Sequence, residues 1–277
     1  MIGRGDVGKH EVRWAKSTKT SEFGVVRARV TWDVKTRLRI RYFVVTSAFG
    51  VVRENAMAAF WSFLRSTIGL KVQMAVSGFI LFGFCVEHLV GMMLFFKGSG
   101  TINGYGNLLR YSPAALWTAR TVILTAVVFH IWTATVLVLR QWAARPIGYR
   151  QKRSRTYSYA ARTMKYSGPF VLAFVFFHLA HFTWGMNVTP AVYVEGDVYA
   201  NIANSFQFGW VVLVYVVGTS LLGLHLLHGG HSMFESLGLR HPRVDGVIRS
   251  VVGGATVVLI AGFIFIPCAV FFKLVGG

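Results

Sequence analysis

Apolar residues fall into five long runs separated by short polar connections. Each run is long enough to cross a bilayer as a helix, which takes about 20 residues. Backbone groups in lipid must be satisfied within the segment, and the period-two alternation of a barrel strand is absent, so each run predicts a helix. The five predicted spans are Leu70–Phe96, Trp117–Leu139, Tyr166–Met186, Phe208–Gly230 and Val247–Phe272, and Pro267 is expected to kink the last of them.

Composition agrees with this pattern. The 277 residues are 54% hydrophobic and their mean hydropathy is +0.53, which excludes an ordinary soluble domain. No internal repeat and no linker rich in Gly, Ser or Pro divides the spans. We therefore predict an all-α protein, an integral membrane five-helix bundle formed by residues 57–277.

The net charge of +19 is unevenly distributed. Arg140–Lys165 carries eight basic residues and no acid, whereas Asn187–Gln207 carries Glu195 and Asp197 and no base. Basic connections face the cytoplasm, so the N-terminus and the connection with Arg240, Arg243 and Arg249 are expected there, with the C-terminus outside. Topology and anionic lipid account for the charge, and we predict no nucleic-acid partner for this inner or cytoplasmic membrane protein.

Residues 1–56 differ from the rest because they are basic and contain only short Val-rich stretches. They show no signal-peptide pattern. We expect them to be a poorly ordered extension or to be missing from a mature chain that starts at Met57. The segment Ala58–Ile68 is amphipathic and suits a helix lying at the membrane interface.

Histidine provides the candidate chemistry. His88, His130, His178 and His225 each lie inside a different one of the first four spans. An imidazole in hydrocarbon is costly without a partner, so such residues indicate a functional site. Four of them on four successive helices predict the axial ligands of two b-type haems.

Bundle geometry suggests the pairing of these ligands. Spans one and three run in one direction and spans two and four in the other, so they form the diagonal pairs of an up-down-up-down bundle. His88 would then face His178, and His130 would face His225. Positions along the helices place the second pair nearer the cytoplasm and the first nearer the outside.

Other residues in the spans have less specific patterns. His181, His228 and His231 are expected to bond haem propionates, water or a neighbouring helix, with His181 and His228 the less favoured ligand candidates. Cys85 and Cys268 belong to no CxxC or CxxCH element, so neither a disulfide nor a covalently attached haem is predicted. Glycines give room either for a flat macrocycle or for close helix packing; they are Gly78, Gly91, Gly168, Gly218, Gly223, Gly229 and Gly230.

From Ala58 to Gly277 the chain resembles a known family. The residues that carry the resemblance are Glu87–Val90, Phe129–His130, Ala144–Tyr149, Arg162–Gly168, Phe177–Gly185 and His225–Gly238. In these motifs the chain is similar to the five-helix, dihaem cytochrome b anchor subunit of succinate dehydrogenase and quinol:fumarate reductase. The spacing of His225, Gly229 and Gly238 resembles the family pattern and favours His225 over His228; the spacing from Gly168 likewise favours His178 over His181.

The resemblance implies that different subunits carry out different steps of the reaction. A flavoprotein subunit would oxidise succinate and an iron–sulfur subunit would dock on the cytoplasmic face, so this chain would hold no succinate site. Electrons would pass through the inner and outer haems to a quinone, expected to be menaquinone, linking the tricarboxylic acid cycle to electron transport. The basic connection between spans two and three would be a candidate docking surface.

The same residues are compatible with several other functions. The same arrangement of electron carriers serves both succinate oxidation and fumarate reduction. The HxxH spacings also occur in di-iron membrane oxygenases, and histidines within spans could form a proton relay in a transporter. Glu87, the only acid inside a span, could carry protons to a quinone or form a structural hydrogen bond, while Trp117 and Trp184 are expected to be interfacial belt residues.

Overall fold

The computed structural model describes residues 27–31, 39–43, 48–144 and 159–275. These divide into two compact units, residues 1–62 and residues 63–277. The division lies six residues beyond the predicted boundary at Met57, inside a continuous helix. The expectation that residues 1–56 are poorly ordered falls largely outside the described residues.

The described residues of the second unit form helices and short turns. Two strands precede them and pair antiparallel, with Arg27 opposite Phe43 and Thr31 opposite Arg39. In chain order the elements are β1 Arg27–Thr31, β2 Arg39–Phe43, α1 Ala48–Arg65, α2 Thr67–Met93, a 3-10 turn Leu94–Lys97, α3 Ser99–Tyr111, α4 Pro113–Ala143, α5 Tyr159–Phe182, α6 Val198–Ser205, α7 Gly209–Ser236 and α8 Pro242–Phe271.

Among the described residues, four helices are long and apolar enough to span a membrane. They are α2 with its 3-10 turn, α4, α7 and α8. The third predicted span corresponds to α5, whose apolar part, Tyr166–Phe182, is shorter. Helix α5 ends at Phe182, four residues before the predicted end of the span at Met186. The reason is that the chain turns after Phe182, where Gly185 has a φ of 62°.

Polar caps fix where the helices begin. The Ser66 hydroxyl accepts a hydrogen bond from the Gly69 backbone N–H at 3.0 Å, which starts α2 directly after α1. Ser112 caps α4 in the same way, and Pro113 follows at the first helical position, where its missing N–H costs nothing. These caps explain why the helices extend beyond the apolar runs predicted from hydropathy.

The helix packing leaves α4 largely uncovered by protein. Helix α2 packs against α4, α7 and α8, and α7 packs against α5 and α8. Within α4 only Ala126 and Thr133 are buried, while large apolar side chains such as Leu124 and Val128 are exposed. An exposed apolar surface of this extent fits a lipid environment.

Two short helices form a polar layer at one end of the second unit. The Asn103 side chain in α3 donates to Asp197 Oδ1 at 2.9 Å and accepts from the Tyr199 backbone N–H at 3.0 Å. Asp197 also caps α6 by accepting from the Ala200 N–H at 2.9 Å. We call this region, formed by α3, α6 and the residues before α6, the α6 end; it corresponds to the predicted outer side.

Removing the Asp197 cap should loosen the α6 end. The hydrogen bond from the Ala200 N–H, with that from Asn103, lowers the pKa of Asp197. The carboxylate therefore stabilises the folded state above the unfolded pKa of about 3.9, and this contribution is lost as the pH falls through the lower folded value. We expect Asp197→Ala to lower the free energy of unfolding by about 1 kcal/mol. The loss is measured as a lower melting temperature in detergent at pH 7. The difference in melting temperature between wild type and Asp197→Ala should shrink below about pH 4. Asp197→Asn, which keeps a capping oxygen, is the control. Equal melting temperatures for wild type and the alanine variant at pH 7 would contradict the prediction.

Candidate functional site

Two pairs of histidines meet between helices in the second unit. His88 of α2 and His178 of α5 have ring centroids 5.8 Å apart. His130 of α4 and His225 of α7 have ring centroids 6.1 Å apart. These are the two pairs that the sequence predicts, joining first to third and second to fourth of the histidine-bearing helices.

Positions along the helices separate the pairs into two layers. His178 lies four residues before the end of α5 at the α6 end, and His88 lies five residues before the end of α2. His130 and His225 lie in the middle parts of α4 and α7. The layer order is that expected from the sequence, with the His88–His178 pair nearer the α6 end. We call this the outer pair and His130–His225 the inner pair.

One histidine of each pair has its Nδ1 atom engaged. The Tyr215 hydroxyl lies 3.3 Å from His178 Nδ1, and the Ser77 hydroxyl lies 3.3 Å from His130 Nδ1. With Nδ1 occupied, the Nε2 atom of each ring is the nitrogen left for a further bond. Neither Tyr215 nor Ser77 was predicted from the sequence.

The other histidine of each pair has ring neighbours but no hydrogen bond among the described residues. His88 stacks on Phe84 at 5.4 Å and lies 5.8 Å from the Phe263 ring. His225 has a buried Nδ1 atom without a partner in the described part of the chain. An imidazole placed in an apolar interior without a hydrogen bond is costly, so these rings have capacity for an additional partner.

The glycines singled out from the sequence have three kinds of surroundings. A Cβ on Gly78 would lie 3.3 Å from His130 Cε1, and one on Gly168 would lie 4.0 Å from His225 Cε1, so these two glycines border the inner pair. Four others accept side chains, where a Cβ would come within 3.0 Å of a neighbour: Gly91 by Tyr105, Gly218 by Phe174, Gly223 by Ile260 and Gly230 by Val252. A Cβ on Gly229 would be in ordinary contact with Met164, at 3.7 Å. Close packing therefore explains Gly91, Gly218, Gly223 and Gly230.

His181, the alternate ligand on α5, is buried and hydrogen-bonded at both nitrogens. Its Nδ1 atom lies 3.1 Å from the Tyr215 hydroxyl and its Nε2 atom 3.0 Å from the Ser205 hydroxyl. Neither nitrogen is left for a metal in this arrangement. His228 and His231 lie further along α7, where the Nε2 atom of His231 is buried without a partner among the described residues.

Glu87 faces away from the core and pairs with the α6 end. The Tyr105 hydroxyl donates to Glu87 Oε1 at 2.6 Å, and Gly91 makes room for the Tyr105 ring. This hydrogen bond, with lesser contributions from burial and from the Glu87 charge, raises the pKa of Tyr105 to about 12. The structure thus shows the hydrogen-bonding role considered for Glu87, and a proton-carrying role stays a prediction.

The two histidine pairs fit the axial ligand sets of two haems. An iron bound at about 2 Å by one nitrogen from each ring places the ring centroids roughly 6 Å apart, which is the spacing of both pairs. The free Nε2 atoms of His178 and His130 and the absence of hydrogen bonds at His88 and His225 within the described chain agree with such a role. No cluster of three or more His, Cys, Asp or Glu side chains suited to a metal ion occurs among the described residues; a six-coordinate haem requires only two.

The basic surfaces are only partly described. Most of the connection between α4 and α5 lies outside the described residues. In the connection between α7 and α8, Arg240 pairs with Glu235 of α7 at 3.3 Å and with Asp245 of α8. Within α8, Arg249 pairs with Asp245 at 3.0 Å. The positive-inside rule counts basic residues rather than net charge, so these pairs do not alter the predicted orientation.

The chain was compared with protein-family models, with curated proteins and with solved structures. No family model, no curated protein and no solved structure matches it. What the structure itself defines is a helical protein with four helices of membrane-spanning length among the described residues and two histidine pairs between helices.

Proposed function

We propose that this protein is the membrane-anchor cytochrome b subunit of a succinate dehydrogenase, with two b haems and a quinone, menaquinone, as its electron acceptor. The observation that supports this most is the double pairing of histidines, at 5.8 Å between α2 and α5 and at 6.1 Å between α4 and α7. Three of these helices are long and apolar enough to span a membrane, and α5 has a shorter apolar part. A haem held by two imidazoles is a one-electron carrier whose iron has no open coordination position. Such a site favours electron transfer over oxygen or substrate chemistry.

The residues of this chain would hold and separate the two haems. His88 and His178 would bind the outer one, and His130 and His225 the inner one. The apolar rings of Phe84 and Phe263 pack beside His88, and the polarity around a haem is one of the properties that set its potential. The proposed five-helix arrangement adds α5 to the four long helices, because α5 supplies His178 and packs along α7.

The proposal assigns the chemistry of succinate to other subunits. A flavoprotein and an iron–sulfur subunit would complete the complex, and the basic connection 140–165 is the proposed docking surface. A quinol:fumarate reductase would use the same subunit in the opposite direction. Assays of native membranes with succinate and a quinone, and with a quinol and fumarate, distinguish the two directions.

A spectrum of the purified protein tests the proposal directly. We expect the dithionite-reduced protein to show low-spin b-haem bands, two haems per chain by pyridine haemochrome, and no change on addition of carbon monoxide, because both axial positions are filled by histidine. Co-purification of flavin and iron–sulfur centres is expected with the complex. A colourless protein, or one that transports a metal ion, would instead support the transporter alternative.

A further inference from the structure

A chain of three hydrogen bonds connects His178 to the α6 end. It runs from His178 Nδ1 to the Tyr215 hydroxyl at 3.3 Å, from that hydroxyl to His181 Nδ1 at 3.1 Å, and from His181 Nε2 to the Ser205 hydroxyl at 3.0 Å. Tyr215, His181 and Ser205 are all buried. Four side chains from three helices are thus joined without a gap, beginning at one member of the outer pair.

Aromatic packing holds the central tyrosine in place. The Tyr215 ring makes edge contacts with Phe206 at 4.9 Å and Phe174 at 5.4 Å, and His181 stacks on Phe182 at 4.1 Å. The position of the hydroxyl is therefore held by rings of α5 and by Phe206, which directly follows α6. Ser205 lines a cavity of about 10 Å³ with Thr189, Asn201 and Asn204, which is close to the room that one water molecule needs.

The direction of this chain depends on what His178 binds. Each histidine ring is a donor at one nitrogen and an acceptor at the other when neutral. If iron takes the lone pair of His178 Nε2, the ring proton must be on Nδ1, and Nδ1–H donates to the Tyr215 oxygen. Tyr215 then donates to His181 Nδ1, and His181 Nε2–H donates to Ser205. The position of the proton on the His178 ring therefore determines the direction of all three hydrogen bonds.

The inner pair has a shorter counterpart. The Ser77 hydroxyl donates to the Gln73 carbonyl at 2.8 Å or to the Met74 carbonyl at 3.1 Å. Its oxygen then accepts from His130 Nδ1, 3.3 Å away, when that nitrogen carries the ring proton. With iron on Nε2, each pair would therefore have one histidine whose Nδ1–H donates to a hydroxyl. At the inner pair, the Ser77 hydroxyl donates to a backbone carbonyl of its own helix, and the series of hydrogen bonds stops there. At the outer pair, the Tyr215 hydroxyl is hydrogen-bonded to His181, which is bonded in turn to Ser205.

From this geometry we infer that Tyr215 is a positioning residue for the outer haem, which sets the orientation and electron donation of His178 and is itself held by His181 and Ser205. The inference rests on the proposed function. A ligand imidazole that donates its second N–H becomes more basic, and this stabilises the oxidised iron. Tyr215 is thereby expected to lower the potential of the outer haem, and Ser77 to do the same for the inner one.

The test is a redox titration of both haems in the purified holo-complex. The haems are assigned beforehand with His88→Ala and His130→Ala. Tyr215→Phe, which keeps the aromatic ring and removes the hydroxyl, should shift the outer haem to a more positive potential and change its low-spin ferric EPR signal, with the inner haem unchanged. Ser77→Ala is the matched variant and should shift only the inner haem.

Ser205→Ala provides a second variant that leaves Tyr215 in place. It should shift the outer haem in the same direction as Tyr215→Phe but by less, because it acts through His181. Unchanged outer potentials and EPR signals in Tyr215→Phe and Ser205→Ala would overturn the inference while leaving the haem protein intact. If Tyr215→Phe does not assemble, an unchanged outer haem in Ser205→Ala overturns it alone. Wild-type protein without haem would instead refute the proposed function.

Discussion

His130→Ala should leave the protein with one haem instead of two. Alanine removes one of the two imidazoles that we propose to hold the inner haem, and His225 alone, whose ring lies 6.1 Å away across the bundle, provides only one axial bond. We expect about half of the haem per chain to be lost, with the outer haem retained in its low-spin form. Pyridine haemochrome content and the reduced spectrum of the purified variant measure the loss.

The proposed pairing also predicts which variants should lose the same haem. His225→Ala should remove the same haem as His130→Ala, while His88→Ala and His178→Ala should each remove the other. His228→Ala is the control, because it makes the same substitution one turn away from His225 and should keep both haems. If His130→Ala and His178→Ala eliminated the same spectral component, the diagonal pairing would be wrong.

Gly218→Ala should destabilise the protein although it adds a single carbon atom. The new Cβ would lie 2.3 Å from Phe174 Cδ2 and 2.5 Å from its Cγ, so the Phe174 ring must move. That ring packs on Tyr215 at 5.4 Å and on His178 at 6.4 Å. We expect the usual cost of overpacking, about 1–3 kcal/mol, seen as a lower melting temperature in detergent and a reduced content of the outer haem.

Gly254→Ala is the matched control for this prediction. Gly254 lies within α8, and a Cβ there would meet nothing within 4 Å. Because both variants make the same change within a long apolar helix, the difference between them isolates the contact with Phe174. Equal melting temperatures and equal haem content in the two variants would show that α5 and α7 can separate without cost.

The sequence was a good guide to the helices because hydropathy is a local property. The ends of the predicted apolar runs lie within six residues of the ends of the observed spans, which are α2 with its 3-10 turn, α4, α7 and α8. The errors lie at the ends, where Ser66, Ser112 and Gly185 determine where helices start and stop. Helices α3 and α6 were not predicted, because they are short and lie in connections where hydropathy gives no signal.

The histidine pairs were also accessible from the sequence. Alternating direction of successive spans determines which helices can be diagonal neighbours, and the structure brings together the two pairs expected on that ground. Their role as haem ligands stays a prediction. The structure adds that His181 has both ring nitrogens engaged, which the spacing of His178 and His181 along one helix could not show.

The hydroxyl partners could not be inferred in this way. Tyr215 lies six residues after the start of α7 and ten residues before His225, and nothing in the helical pattern of α7 marks its hydroxyl as a partner of α5. Ser77 precedes Gly78 within α2, and the sequence around it carries no signal of a partner on α4. Their roles depend on which side chains another helix presents at the same depth, and single-helix periodicity does not contain that information.

What the sequence alone determined is the membrane character of the chain, its long helices and the histidines that carry its candidate chemistry, because each follows from the polarity of residues along one segment. The tertiary structure decided which nitrogens are already hydrogen-bonded, which glycines border histidines and which accept side chains, and how Tyr215 links α5, α6 and α7. Those features depend on the rotation and depth of one helix relative to another, which are set by packing among many side chains at once.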